Sequence, residues 1–234
     1  MLRALLLTII RRKRPGFTLD PDLHTGTLAR LALHKGIAWL RGRRLGLTTP
    51  AFLGRGVRLF NRANMRFGRW VQLDDHVYLS AMGRKPLTLG DHVHIGAFSR
   101  LVVSTTPNHL GAHITLGKHV GIGEFAYLGG AGGLEIGDDC IIGQYFSCHP
   151  ENHDYADPST PIRLQGVSRQ GIRIGRNCWI GSKVTILDGV RIGDNCVIAA
   201  GAVVTRSMPA NSVIGGVPAR VLKSTIPSTA TALV

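Results

Sequence analysis

Ile174-Gly175-Arg176-Asn177-Cys178-Trp179, Ile180-Gly181-Ser182-Lys183-Val184-Thr185, Ile186-Leu187-Asp188-Gly189-Val190-Arg191, Ile192-Gly193-Asp194-Asn195-Cys196-Val197, Ile198-Ala199-Ala200-Gly201-Ala202-Val203, Val204: written in sixes, every block opens on an aliphatic residue. The same beat runs through Leu116, Ile122 and Leu128, then Ile136 and Ile142, and earlier through Leu89, Ile95 and Leu101; Phe67, Leu73 and Leu79 carry a fainter version. A period of six is neither the 3.6 of a helix nor the alternation of one long strand. It predicts short strands with one inward apolar residue each, joined by corners. Three such sides close a triangular coil of about 18 residues, and stacked coils pair their strands.

The corner chemistry agrees. Asp91-His92, Lys118-His119, Asp139, Asn177 and Asn195 fall at or beside the fourth position of their hexads. Asn, Asp and His are the side chains that best tolerate left-handed backbone. Glycine, at 30 of 234 residues, supplies further tight corners. Cys140, Cys178 and Cys196 each lie four residues past a hexad aliphatic, which predicts small apolar residues stacked in the core. No C-x-x-C pair suggests zinc or a disulfide. Cys148 reads as out of register and exposed.

These residues, with Asn177-Cys178-Trp179-Ile180-Gly181, Ala199-Ala200-Gly201-Ala202-Val203-Val204-Thr205 and Gly215-Gly216-Val217-Pro218-Ala219-Arg220, resemble the hexapeptide-repeat acyltransferases. Within them the chain is similar to sugar O-acetyltransferases of the maltose/galactoside type. It is most similar to those of exopolysaccharide and colanic-acid biosynthesis, on Asn152-His153, Arg163, Gln165-Gly166-Val167 and Gly171-Ile172. The resemblance implies an all-β fold, a left-handed parallel β-helix, assembled as a homotrimer, with acetyl-CoA as co-substrate and no metal. It implies transfer to a sugar hydroxyl on a precursor of an exopolysaccharide, capsule or lipopolysaccharide. Transfer to another small acceptor (serine or an antibiotic) and a non-catalytic scaffold in polysaccharide assembly remain alternatives. The γ-type carbonic anhydrases share the fold, but their paired histidines are five residues apart and His149 and His153 are four apart.

The beat stops from Cys148 to Gly171, so residues 148–171 read as a loop inserted into a β-helix domain of residues 49–223, between a basic helical segment, 1–48, and a flexible tail, 224–234. An excursion from a rigid solenoid is where function is carried. Acyl transfer from a thioester to a hydroxyl needs a base near neutrality, which His supplies. His153, 11 residues past Ile142 and paired with Asn152, fits the resemblance better than His149, seven past. Glu151, Asp154 or a backbone carbonyl then orients the ring. The resemblance further implies that Trp179 lies near the pantetheine arm, that backbone amides at Ser182, Ala200 and Gly201 meet it, and that Arg206 and Arg220 hold the CoA phosphates. The segment Thr105 to His113 is a second candidate for facing the acceptor; His92, His94, His109, His113 and His119 read as corner or surface residues.

Charge is uneven. Residues 1–70 hold 15 of the 28 Lys and Arg but only two of the 14 acids, Asp20 and Asp22, a net of +13 that leaves +1 for the rest. A helix is expected over residues 26–44, with Leu28, Leu31, Ile37 and Leu40 as its apolar face. Clustered cations suit nucleic acid or an anionic membrane. The scarcity of aromatics (6%) argues against nucleic acid. Peripheral membrane contact through residues 1–44, fitting a lipid-linked saccharide acceptor, and a helix that caps the solenoid both remain open. The longest apolar run, Ala4 to Ile10, is too short to span a bilayer and precedes its cations, the reverse of a secretory signal. The expected location is the cytoplasm, with the inner membrane face as the place of any peripheral contact.

Overall fold

The computed structural model describes residues 2–11, 16–44 and 49–226. Two helices, α1 (Leu2–Arg11) and α2 (Thr25–Arg44), precede a solenoid of two- and three-residue strands. The strands line up in three walls. The first wall has nine strands, from Ala51–Leu53 to Ala219–Ser224; the second has seven, from Arg58–Phe60 to Val203–Val204; the third has six, from Met65–Phe67 to Arg191–Ile192. Pairing within each wall is parallel, except for the closing hairpin, where Ser212–Gly216 runs antiparallel to Ala219–Ser224.

The hexad aliphatics form the core. Leu73, Ile95, Ile122, Ile142, Ile180 and Ile198 stack up the first wall, each at most 3% exposed. Burying each such side chain is worth about 1.5–3 kcal/mol relative to leaving it in water. Cys140, Cys178 and Cys196 are buried as expected. Cys148 corrects the sequence reading. It is fully buried, aligned between Leu128 and Ile186 in the second wall, six residues past Ile142. The beat therefore continues through Cys148, and the chain leaves the wall only after His149. A thiol in an aliphatic's place hid the step.

His92, His119, Asp139, Asn177 and Asn195 all have φ between 53° and 60°, the left-handed corner geometry read from their residue types. The Asn corners are joined by side-chain bonds, Asn177 Nδ2 donating to Asn195 Oδ1 (2.9 Å) and Asn195 Nδ2 to Asn211 Oδ1 (3.0 Å). Bulky residues also occupy such corners. Phe98, Phe125 and Tyr145 have φ of 57–60°, and with His76 they stack in a ladder of rings 5.1–5.2 Å apart. Aromatic stacking offsets a backbone conformation that such residues avoid.

The 18-residue coil holds only near the C-terminal end. Bonds between neighbouring coils span 20, 22, 27, 20 and 38 residues before settling at 18 and then 16. The large insertions emerge from one corner, between the second and third walls, at residues 103–113 and 150–171.

At the N-terminal end α2 lies against the strand Ala51–Leu53. Leu28, Ala38 and Gly42 are its buried residues. A side chain at Gly42 would collide with the carbonyl of Ala51, so this close approach requires glycine. Lys35 Nζ donates to Gln72 Oε1. Burial pulls the Lys35 pKa down, against the opposing pull of the Asp74 carboxylate. Leu31, Ile37 and Leu40, expected on one apolar face with Leu28, are instead exposed. At the other end Ser224 closes the last strand and the Thr225 N–H donates to Asn211 O (2.8 Å), so the segment expected as a tail begins tied down. Residues 227–234 of that segment lie outside the described residues, as do 12–15 and 45–48 of the basic segment.

Candidate active site

The two insertions that share a corner enclose a cleft of about 1050 Å³. One side is Ser104 to Thr106 with Asn108 and His109; the other is built by His149, Glu151, His153 and Asp154 with Arg163, Val167 and Arg169; Tyr127 and Gly129 also line it. His149 ends the wall strand Ser147–His149, opposite Leu187, and its ring stacks on Tyr127 with centroids 5.7 Å apart. His153 sits further out, on the two-residue strand Asn152–His153, which pairs antiparallel with Val167–Ser168. Both imidazoles are exposed and line the cleft. Asn152, exposed and opposite Ser168, does not line it, as expected of alternate residues on a strand.

The outer insertion is held by its own polar groups. Asp157 accepts from the Ser159 and Thr160 hydroxyls (2.6 and 2.7 Å), which hold its carboxyl down at about 2. Gln165 Nε2 donates to the carbonyls of Asp157 and Thr160 (2.8 and 2.6 Å). That knot encloses α3 (Ile162–Gln165), which carries Arg163. Where the chain rejoins the wall, the Asp188 carboxylate accepts from the backbone N–H groups of Gln170 and Gly171 (2.8–3.0 Å). Gly171 has φ 85°, and a Cβ there would lie 2.7 Å from Gly132 O, so only glycine fits the return.

Arg169 ties the two insertions together. Its Nε donates to Glu151 Oε2 (2.6 Å) and its Nη1 to the carbonyl of Leu110 (3.3 Å). Glu151 is thus engaged by Arg169, and among the described residues no hydrogen bond joins Glu151 or Asp154 to His153. His113, at the end of the first insertion, bonds to Glu135 (3.2 Å) outside the cleft. Tyr127, Arg169 and Asp188 were not singled out from sequence as site residues. Tyr127 had a signal, an outward position on the coil before His149; Arg169 and Asp188 had none. His109, read from sequence as a corner or surface residue, lies in the segment Thr105 to His113 named as a second candidate and does line the cleft.

The residues assigned to the cofactor lie elsewhere. Trp179, 60% exposed, stands on the outer face of the first wall between Ile141 and Val197. Ser182, Ala200 and Gly201 occupy the corner between the first and second walls on the last two coils. Ser182 Oγ donates to Gln144 Oε1 (2.9 Å), and the Gly201 N–H to Ser182 O (2.9 Å). Arg206 is exposed on the turn after the last strand of the second wall, and Arg220 on the closing hairpin, opposite Gly215. Within one chain, the cleft and the Ser182–Gly201 corner flank opposite edges of the second wall. Among the described residues no three His, Cys, Asp or Glu side chains converge as a metal site.

Residues 171–206 match the family model for the bacterial transferase hexapeptide (six repeats). A probable acetyltransferase of Mycobacterium tuberculosis is 31% identical over 176 residues, 74% of this chain and 49% of the relative. The galactoside O-acetyltransferase of Escherichia coli is 42% identical over 95 residues, 38% of this chain and 43% of the relative. A putative lipopolysaccharide biosynthesis O-acetyl transferase of Escherichia coli is 28% identical over 107 residues, 43% and 55% respectively. A solved structure of a mutant of AntD, an N-acyltransferase from Bacillus cereus in complex with dTDP-4-amino-4,6-dideoxyglucose and coenzyme A, shares the fold. Its TM-score is 0.52 at 18% identity, over 79% of this chain and 88% of that one. The fold is the left-handed parallel β-helix of hexapeptide repeats. By the match to the family model, residues 171–206 belong to the hexapeptide-repeat transferase family. The chain spans about half the length of the curated relatives it matches.

Proposed function

We propose that this protein is an acetyl-CoA-dependent O-acetyltransferase whose acceptor is a sugar hydroxyl, on a precursor of an exopolysaccharide, capsule or lipopolysaccharide. The observation that carries the reading is the pair of exposed imidazoles in an open cleft, His149 at the end of a wall strand and His153 on the insertion that follows it. The names of the relatives, a galactoside and a lipopolysaccharide O-acetyltransferase among them, support a sugar acceptor.

In the proposed mechanism neutral His153 takes the proton of the acceptor hydroxyl. The oxygen attacks the thioester carbonyl, amide donors stabilise the tetrahedral oxyanion, the C–S bond breaks, and the imidazolium returns its proton to the departing CoA sulfur. Asn152 serves by fixing the register of its strand against Ser168. With Glu151 engaged by Arg169, Asp154 or a backbone carbonyl remains to orient the ring. Trp179, Ser182, Ala200 and Gly201 line the pantetheine path, and Arg206 and Arg220 take the phosphates. Since the cleft and the Ser182–Gly201 corner lie on opposite edges of one wall, a working site draws them from neighbouring copies, which favours the homotrimer.

One observation favours a second reading of the base. His149 is held on the rigid wall by its stack with Tyr127, whereas His153 stands on a two-residue strand. Steady-state kinetics of two variants decide between them. His153→Ala is expected to lower kcat by about 10²–10⁴-fold, the range for losing a general base, with little change in acetyl-CoA affinity. His149→Ala is expected to cost far less. An inactive His149→Ala beside an active His153→Ala would move the base to the wall. Failure of the wild type to bind acetyl-CoA would leave the scaffold reading.

A further inference from the structure

Helix α2 has two apolar sides, and the solenoid uses one. Leu28, Lys35, Ala38 and Gly42 follow one another at heptad-like spacing on the side turned to the first wall, where Gly42 meets Ala51 and Lys35 bonds to Gln72. On the opposite side, at 100° per residue, run Arg30, Leu33, Ile37, Leu40 and Arg44. Leu33 is 65% exposed, Leu40 51% and Ile37 40%. A helix seated on a core by one stripe normally turns a polar face outward. Here the outward face is an aliphatic stripe with an arginine at each end.

Cations dominate the surroundings, with Asp74 and Asp75 as the nearby carboxylates on the next coil. From Leu23 through Leu73 the chain has ten Lys and Arg and no acidic residue. Arg55, Arg58 and Arg66, on the first coil beside this end, are exposed. Trp39 is half-buried on the flank of α2 with the Arg43 guanidinium 5.2 Å above its ring. Aliphatics framed by arginines, with an aromatic at the border, match the surface of a bilayer that carries anionic headgroups. A second copy docking through the same stripe would set arginine against arginine with no carboxylate on α2 to relieve it.

We infer that the outward face of α2 is a membrane-docking surface: Leu33, Ile37 and Leu40 enter the headgroup boundary of an anionic bilayer while Arg30 and Arg44 bind lipid phosphates. No helix among the described residues is long and apolar enough to cross a membrane, so contact through this face lies along the surface. The inference does not rest on the acetyltransferase reading.

Co-sedimentation of the full chain tests it, with vesicles of phosphatidylcholine alone and with about one third phosphatidylglycerol. The wild type is expected to pellet with the anionic vesicles at low salt and to stay in solution with the neutral ones. The triple variant Leu33→Gln/Ile37→Gln/Leu40→Gln, altered only at exposed positions, is expected to keep its Tm and lose about tenfold or more in vesicle affinity. Arg30→Gln/Arg44→Gln is expected to bind more weakly and with less salt dependence. Wild-type protein left in solution with anionic vesicles overturns the inference, as does a triple variant that pellets like the wild type. A triple variant with a smaller oligomeric mass also overturns it, because a second copy then covers the stripe.

Discussion

Between Leu128 and Ile186 the Cys148 side chain has no exposed surface, and burial pushes its thiol pKa up. The thiolate is the reactive form, so this cysteine is inert while the coil is intact. Because all four cysteines are buried, a water-soluble thiol reagent is expected to label none of them until the protein unfolds. Rapid native-state labelling of Cys148 would contradict its place in the wall. Cys148→Ser puts a hydroxyl into an apolar column and is expected to cost about 1–3 kcal/mol, read as a lower Tm. His149, the next residue, faces the cleft. One step along a strand reverses the face, so core and site adjoin within two residues.

At the scale of the element, the excursion 150–171 is a small structure with its own anchors: the Asp157 knot, the Arg169 tie and the Asp188 return. The Asp157 carboxyl is held at about 2, below its ordinary value of about 3.9, so its contribution is complete above the ordinary value and is lost as the pH falls toward about 2. Asp157→Asn is expected to speed amide hydrogen exchange across residues 157–165 at neutral pH and leave the wall strands protected. Unchanged exchange there would remove Asp157 as an anchor. The wild type is expected to approach the variant's exchange pattern in acid, once the intrinsic pH dependence of exchange is removed. The break in the hexads announced the excursion. Its partner across the cleft, 103–113, was legible only as a candidate, because facing is decided by the shared corner and not by local sequence.

For the whole molecule, surface left uncovered bears on assembly. Trp179 and Ile141 project from the first wall, and Phe98, Phe125 and Tyr145 form an exposed ladder along the corner that leads toward Ser182 and Gly201. Contiguous apolar surface of this kind marks an interface. The proposed homotrimer covers it and brings the cleft of one copy to the cofactor corner of another. Light scattering is expected to return three times 25.2 kDa. A monomer that still transfers acetyl groups would rule out a site shared between copies.

The hexad beat, the left-handed corners and the existence of an excursion were determined by the sequence alone. Each is a short-range property: one inward aliphatic per strand, one tolerant side chain per corner, and a gap where neither appears. The tertiary structure alone decided that Cys148 fills an aliphatic's place, that Arg169 spans from Glu151 to Leu110, and that Leu33, Ile37 and Leu40 turn away from the core. It also decided that the cleft and the Ser182–Gly201 corner occupy opposite edges of one wall. The reason is geometric. Coils of unequal length stack residues 16 to 38 positions apart, and which side chains meet depends on the accumulated insertions, which no local pattern records.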